Sequence, residues 1–154
     1  NISSLYVARD YLENAIILDG DQIIHNERIL TSEFCQSGYN SVWTSEETDE
    51  WLQTVKDGIV TACSRVGGKC GWQLYSISRW TAEDGRKLKK HLELEFEQRH
   101  HTQIYWDDIV MFCHPEEYQL GIFEMQADDV IEIDSLDELI DLDNSYECFR
   151  EKEE

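Results

Sequence analysis

The strongest chemical feature of the sequence is a pair of carboxylates, Asp19 and Asp21, on either side of Gly20. They directly follow an apolar run at residues 15–18, which predicts a short, fully buried strand. Ligand sites in α/β proteins commonly lie where such strands end. Mg²⁺ is usually held by one or two carboxylates together with substrate phosphates, so the pattern suits a metal site. The same residues are also ordinary turn residues, and spacing alone favours the turn.

A second pair of acids follows two aromatic residues. Asp107 and Asp108 come directly after Tyr105 and Trp106, at the predicted start of a short helix that ends near Pro115. One interpretation is a helix cap with both rings in the core. The other is a second magnesium carboxylate beside a ring that can face a cation.

Trp51 is the third candidate. It follows Glu50 and an acidic loop at residues 45–49, and an exposed indole near carboxylates can bind a quaternary ammonium through its π face. The alternative is a tryptophan that packs on the edge of a sheet, which is the more frequent arrangement.

The segments that must position these residues are mostly strands in the middle of the chain. Strand patterns occur at residues 15–18, 41–44, 51–55, 59–64, 72–80 and 130–133. Asp57 and Gly58 predict a tight hairpin turn between two of these strands. Helical spacing at residues 3–12, a cap at Thr81 and a capping box at Ser135 predict the flanking helices. We therefore expect an α/β fold with a mixed sheet flanked by helices.

Composition limits the function classes. The chain has 154 residues, which suits one domain, and its 33 acidic against 13 basic residues give a net charge of −20. Such a field repels nucleic acid and anionic membranes and favours cationic partners and divalent metals. Neither a transmembrane span nor a signal sequence is recognisable, and the unpaired pattern of five cysteines favours reduced thiols, so a cytoplasmic location is expected.

The order of several short motifs resembles the bacterial CTP:phosphocholine cytidylyltransferases, within the larger sugar-nucleotidyltransferase family. The matching segments are residues 1–5, 17–21, 41–43, 48–51, 78–80, 105–107 and 132–135. The resemblance implies part of a nucleotidyltransferase fold of the GT-A, Rossmann-like kind. It implies that residues 1–143 are the C-terminal portion of a catalytic domain, followed by a charged tail at residues 144–154.

The resemblance also implies a reaction and a metal. These enzymes transfer CMP from CTP to phosphocholine, giving CDP-choline and pyrophosphate. The carboxylates that match Asp21 and Asp107 jointly hold Mg²⁺, so these two are the expected catalytic and metal-binding residues, with Asp19 and Asp108 as supporting or capping residues. The glycine-rich loop and the Pro-Lys pair that bind the nucleotide in the family have no counterpart here. We therefore expect the chain by itself to turn over little CTP.

For the acceptor, the resemblance implies an aromatic and acidic pocket around the trimethylammonium head. Trp51 and Tyr105 are the expected rings, Glu132 the expected charge, and Trp80 a weaker candidate. The expected partners are therefore CTP and phosphocholine, with neither nucleic acid nor membrane, and an exposed sheet edge that could form a homodimer. Two alternatives stay open. One is another acceptor, such as a sugar 1-phosphate, phosphoethanolamine or an aminophosphonate, and the other is a non-catalytic acidic module that holds a cationic partner.

Overall fold

The structure, a computed structural model, describes residues 2–150. Its strands are β1 (Ala15–Ile17), β2 (Gln22–Ile24), β3 (Gly38–Thr48), β4 (Leu52–Lys56), β5 (Ile59–Ser64), β6 (Gly68–Trp80), β7 (Gly121–Glu124) and β8 (Val130–Glu132). Its α-helices are α1 (Ile2–Val7), α2 (Ala82–Glu93) and α3 (Leu136–Leu142). Two π-helical turns lie at Leu94–Gln98 and Ile109–Cys113, and 3-10 turns lie at Arg9–Tyr11, Glu27–Leu30, Pro115–Glu117, Ala127–Asp129 and Asn144–Phe149.

The main sheet is mixed, as predicted, and is organised around the long strand β6. Its strand order is β1-β6-β3-β7-β5-β4. β6 pairs antiparallel with β3 and, near its end, with β1, whereas β3 and β7 run parallel. β2 and β8 form a separate antiparallel pair in which Gln22 lies opposite Glu132. The small sheet thus brings the segment that follows Asp21 next to Glu132.

A bulge interrupts the pairing of β3 with β6. The register shifts between the pair Tyr39–Ser78 and the pair Ser41–Leu74, so β6 contains extra residues there. Within this bulge Ser76 has φ +43°, a left-handed conformation that costs energy for a residue with a side chain. Bulges re-aim side chains next to functional sites, and this one turns Ser76 toward the cavity described below.

Helix α2 covers one face of the sheet. Its residues Leu88 and Leu92 are fully buried, as the four-residue spacing predicts. Gly85 permits this packing because a Cβ at that position would lie 2.1 Å from the carbonyl oxygen of Leu12. Although glycine weakens a helix interior, a larger residue here would push the helix away from the loop before β1.

Local sequence signals predicted several elements correctly. Asp57 and Gly58 both have positive φ, at +52° and +79°, and connect β4 to β5 as the expected hairpin. Thr81 accepts a hydrogen bond from the backbone N–H of Asp84, and Ser135 forms the expected reciprocal box with Glu138. Strands β2 and β7 were not predicted.

Two predicted elements differ in the structure. β1 was expected to be fully buried, but it is the terminal strand of the sheet, its three residues are half-buried, and the following Leu18 is 38% exposed. The helix expected over residues 3–12 divides into α1 and the 3-10 turn Arg9–Tyr11. Across residues 2–150, the structure has no helix with the length and apolar character that crossing a membrane requires.

Candidate active site

One large cavity lies between α1, the end of β1 and the segment at residues 105–107. Its volume is about 1120 Å³. The chemically active residues that line it are Asp19, Asp21, Glu50, Trp51, Ser76, Tyr105, Trp106, Asp107, Glu132 and Asp134. Acids predominate in this set, so the cavity is suited to metal ions and cationic groups.

The structure brings the two predicted metal ligands, Asp21 and Asp107, to the same cavity. Asp21 lies in the turn between β1 and β2, and its carbonyl oxygen accepts a hydrogen bond of 3.0 Å from the backbone N–H of Ile133. Asp107 begins the helical segment that continues as the π turn Ile109–Cys113. Two residues that are far apart in the sequence therefore line the same opening.

Asp107 is almost fully buried, with 5% of its surface exposed. The hydroxyl of Tyr39 donates a hydrogen bond of 2.8 Å to its Oδ1. Burial raises the pKa of Asp107 to about 7, the Tyr39 hydrogen bond opposes this rise, and the negative charges of Asp19 and Asp108 add to it. A carboxylate held at such a cost is typical of a functional site.

Asp19 takes a larger part in the site than the sequence indicated. Burial and the negative charge of Asp21 raise its pKa, while hydrogen bonds from the side chains of Ser76 and Trp106 lower it. Asp19 also raises the pKa of Asp107. Asp19 therefore interacts electrostatically with both predicted ligands, because the charge of Asp21 raises its pKa and its own charge raises the pKa of Asp107.

These carboxylates fit a magnesium ion that substrate phosphates complete. Among residues 2–150, no group of three or more His, Cys, Asp or Glu side chains is arranged as a self-sufficient metal cluster. Mg²⁺, however, is usually held by one or two carboxylates plus phosphate oxygens and water. Burial, with a smaller contribution from neighbouring negative charges, raises the pKa values of Asp19 and Asp107, and a divalent cation bound there would favour their charged forms.

The other side of the cavity combines aromatic rings with acids. Trp51 meets Tyr105 edge-on, with ring centroids 5.9 Å apart, and Tyr105 is 62% exposed. Burial raises the pKa of Glu132, and the negative charges of Asp134, Asp21 and Glu50 add to this rise. The amide of Gln22 opposes it by donating a hydrogen bond of 2.9 Å to Glu132 Oε1. We call the rings of Trp51 and Tyr105 the aromatic wall.

Known cytidylyltransferases are similar to this chain in sequence. No protein-family model matches the chain. A 2-aminoethylphosphonate cytidylyltransferase of Lancefieldella rimae is 30% identical over 148 residues, which cover 95% of this chain and 60% of that protein. A choline-phosphate cytidylyltransferase of Streptococcus pneumoniae is 25% identical over 136 residues, covering 88% and 58%. The chain is a homologue of the bacterial cytidylyltransferases. It spans about 60% of the length of these curated relatives.

A solved structure supports the same assignment. The CTP:phosphocholine cytidylyltransferase from Streptococcus pneumoniae superposes with a TM-score of 0.80 at 25% identity, over 94% of this chain and 63% of that one. The resemblance inferred from short motifs and the nucleotidyltransferase type of α/β fold are both confirmed.

One substrate-binding candidate of this cytidylyltransferase homologue has to be corrected. Trp80 is fully buried and packs edge-on against Tyr39 and Trp106 in the core. Its indole N–H donates a hydrogen bond of 2.8 Å to the hydroxyl of Ser78, and Trp80 does not line the cavity. The ring is a structural support for the segment at residues 105–107, so it has no face to offer a substrate.

Several residues of the candidate site were missed in the sequence. Tyr39, which holds Asp107, lies in a buried strand, and nothing in its neighbourhood marks it as different from a core tyrosine. Ser76 and Gln22 reach the site through a bulge and a strand pair, which single-sequence patterns do not reveal. Asp108 was expected to act as a cap, and its carboxylate does accept the backbone N–H of Tyr105 at 2.9 Å.

Proposed function

We propose that this chain provides the metal-binding and acceptor-binding part of a cytidylyltransferase. The reaction is transfer of CMP from CTP to an acceptor that combines a phosphorus oxyanion with a cationic amine, with release of pyrophosphate. The observation that carries the proposal is the single cavity in which Asp21 and Asp107 lie together with Trp51, Tyr105 and Glu132. Homology to cytidylyltransferases supports the nucleotide, and the lining residues support the acceptor.

Asp21 and Asp107 are the residues that would hold Mg²⁺. When bound, the ion would neutralise phosphate charge, which is much of what phosphoryl-type transfer requires. Tyr39 orients Asp107 through its hydroxyl. Asp19 adds a further negative charge that interacts with both ligands. The protein's own contribution is to keep these carboxylates fixed and partly dehydrated before substrate arrives.

The acceptor's amine would lie against the aromatic wall and the acids Glu50, Glu132 and Asp134. Aromatic rings offer a negative face to a cation, and nearby carboxylates balance its charge without needing a hydrogen bond. Phosphocholine and 2-aminoethylphosphonate both have this combination, and relatives of this chain carry the names of enzymes for each. Phosphocholine is the acceptor we place first, because the wall presents two rings.

A substrate panel tests the proposal on the complete protein. Pyrophosphate release from CTP with Mg²⁺ is measured with phosphocholine, 2-aminoethylphosphonate, phosphoethanolamine and glucose 1-phosphate. We expect an amine-bearing acceptor to exceed the sugar phosphate in kcat/KM by about tenfold or more, since one desolvated cation–π contact contributes about 2 kcal/mol. Preference for the sugar phosphate would contradict the acceptor class. If no acceptor were turned over and a pulldown with the protein retained a basic partner, the non-catalytic acidic module would be favoured.

Replacing Trp51 by alanine should weaken acceptor binding selectively. We expect Trp51→Ala to raise the acceptor KM by about tenfold, because it removes the ring that Tyr105 meets edge-on. The KM for CTP should change by less than about twofold. Trp43→Ala is the matched control, since Trp43 is 52% exposed and lies outside the cavity. Equal losses for both substrates would remove Trp51 from the acceptor site.

A further inference from the structure

Arg65 lies directly after β5, behind the aromatic wall, and does not line the cavity. Its Nε donates a hydrogen bond of 2.9 Å to Asp108 Oδ1, and a terminal guanidinium N–H donates to the same oxygen. The carboxylate of Asp108 is 6% exposed, whereas the Arg65 side chain is 50% exposed. A partly exposed cation therefore pairs with a buried anion that directly follows Asp107 in the chain.

The same carboxylate also holds the backbone of the aromatic wall. Asp108 Oδ2 accepts the backbone N–H of Tyr105 at 2.9 Å, while Oδ1 accepts from Arg65. Asp108 thus bridges the guanidinium and the residue whose ring forms half of the wall. If Arg65 were absent, the carboxylate would lose its charged partner and its orientation would be less restricted.

A second route connects Arg65 to the wall through ring contacts. The guanidinium carbon lies 3.8 Å from the centroid of Phe112 and 5.8 Å from that of Trp51. Phe112 in turn meets Trp51 edge-on, with centroids 5.5 Å apart. Arg65 therefore reaches Tyr105 through Asp108, and it reaches Trp51 both directly and through Phe112.

We propose that Arg65 is a positioning residue for the acceptor, fixing the relative placement of Trp51 and Tyr105. The acceptor role of this wall rests on the proposed function, but the positioning of the two rings does not. Arginine suits the task because its planar fork can donate two N–H groups to Asp108 while its face stacks on Phe112. Lysine keeps the charge but has neither the fork nor the flat face.

Charge and position act on the acceptor in opposite directions. A positive charge 5.8 Å from Trp51 opposes binding of a cation there, so its removal alone would strengthen binding. The guanidinium is half exposed and paired with Asp108, which makes that repulsion small. Displacement of the rings, by contrast, alters the surface that contacts the acceptor. We therefore expect weaker acceptor binding when Arg65 is replaced.

The test compares Arg65→Lys and Arg65→Gln with wild type in the complete protein, with Arg86→Gln as the control. Arg86 is similarly exposed and pairs with Glu13 away from the cavity. Both Arg65 variants should raise the acceptor KM by about fivefold to tenfold, with kcat and the CTP KM within about twofold. The ¹H–¹⁵N signals of the Trp51 indole and the Tyr105 amide should shift in both variants and stay in place in Arg86→Gln.

Two results would overturn the proposal. One is a wild-type acceptor KM in Arg65→Lys, which would mean that only charge matters. The other is unshifted Trp51 and Tyr105 signals in Arg65→Gln, which would mean that the guanidinium does not place the rings. If the wild-type protein transferred no cytidylyl group, the proposed function would be refuted. The NMR spectra do not depend on turnover, so they would still decide whether Arg65 positions the two rings.

Discussion

Asp107→Asn should lower kcat for cytidylyl transfer by about 1,000-fold, because it removes one of the two carboxylates proposed to hold Mg²⁺ and such an ion contributes several kcal/mol. The fold should survive, since asparagine has the same shape and its oxygen can still accept the hydroxyl of Tyr39. Burial already raises the pKa of Asp107 to about 7, so the neutral amide removes an unfavourable buried charge. The metal-free variant should therefore unfold at an equal or higher urea concentration than wild type.

Activity and stability are measured on the same preparations to separate these effects. Pyrophosphate release at saturating CTP and acceptor reports kcat, and urea unfolding without metal reports stability. Asp128→Asn is the matched control, because Asp128 is exposed and lies outside the cavity. Lost activity together with a lowered unfolding midpoint would point to a structural role for Asp107. Full activity would remove Asp107 from the metal site.

Glu95→Ala should destabilise the protein by about 3 kcal/mol, the low end of the cost of breaking a buried ion pair. The Glu95 side chain is fully buried and bonds Arg99 at 2.6 Å and both His101 and His114 at 2.7 Å. The substitution leaves these partners without their shared anion. Urea unfolding at pH 7 measures the loss, which corresponds to roughly 6–12 °C in Tm for a chain of this size. Glu116→Ala, at an exposed position, is the control.

The Glu95 effect should depend on pH in a defined direction. Burial raises the pKa of Glu95, but hydrogen bonds from His114 and His101 and the charge of Arg99 outweigh it and lower the pKa below 4.5. Cys113 also faces this group, and its own pKa is raised by burial and by Glu95. A carboxyl with a lowered folded-state pKa stabilises above its unfolded pKa and loses that contribution as pH falls. The difference between wild type and Glu95→Ala should therefore shrink between pH 5 and pH 3, and a constant difference would contradict the assignment.

The Glu95 cluster also shows why the site depends on distant packing. His114 follows the π turn Ile109–Cys113 and stacks on His91 of α2, with ring centroids 3.9 Å apart. This cluster fixes the far end of the segment whose near end carries Asp107. No sequence pattern marks this cluster, since only the folded chain brings His101 and His114 to one carboxylate.

Elements whose signals are local were predicted well. The Asp57-Gly58 turn, the Thr81 cap and the Ser135 capping box each depend on residues within four positions of one another, so the sequence contains the whole cause. The prediction that β1 is fully buried was wrong because an apolar strand has the same sequence pattern in the centre of a sheet and at its edge. Whether a neighbour covers it is decided by strand order, which is not local.

Residue types and spacing already pointed to Asp21, Asp107 and Trp51, and the family resemblance added Glu132 and Trp80. Asp21, Asp107, Trp51, Tyr105 and Glu132 line one cavity, whereas Trp80, chosen by the same resemblance, is enclosed in the core. The order of short motifs suggests which residues correspond to those of the family, but it does not show toward which face of the sheet each side chain points.

By itself, the sequence determined the class of fold, the cytidylyltransferase relationship and the acidic character that suits a metal and a cation, because composition and short motifs carry these directly. Only the tertiary structure decided which acids line one cavity. A bulge at Ser76, the pairing of Gln22 with Glu132 and the bridge from Arg65 through Asp108 to Tyr105 place the side chains within a few ångströms of their partners. Those contacts join residues that are distant along the chain, so no local pattern could contain them.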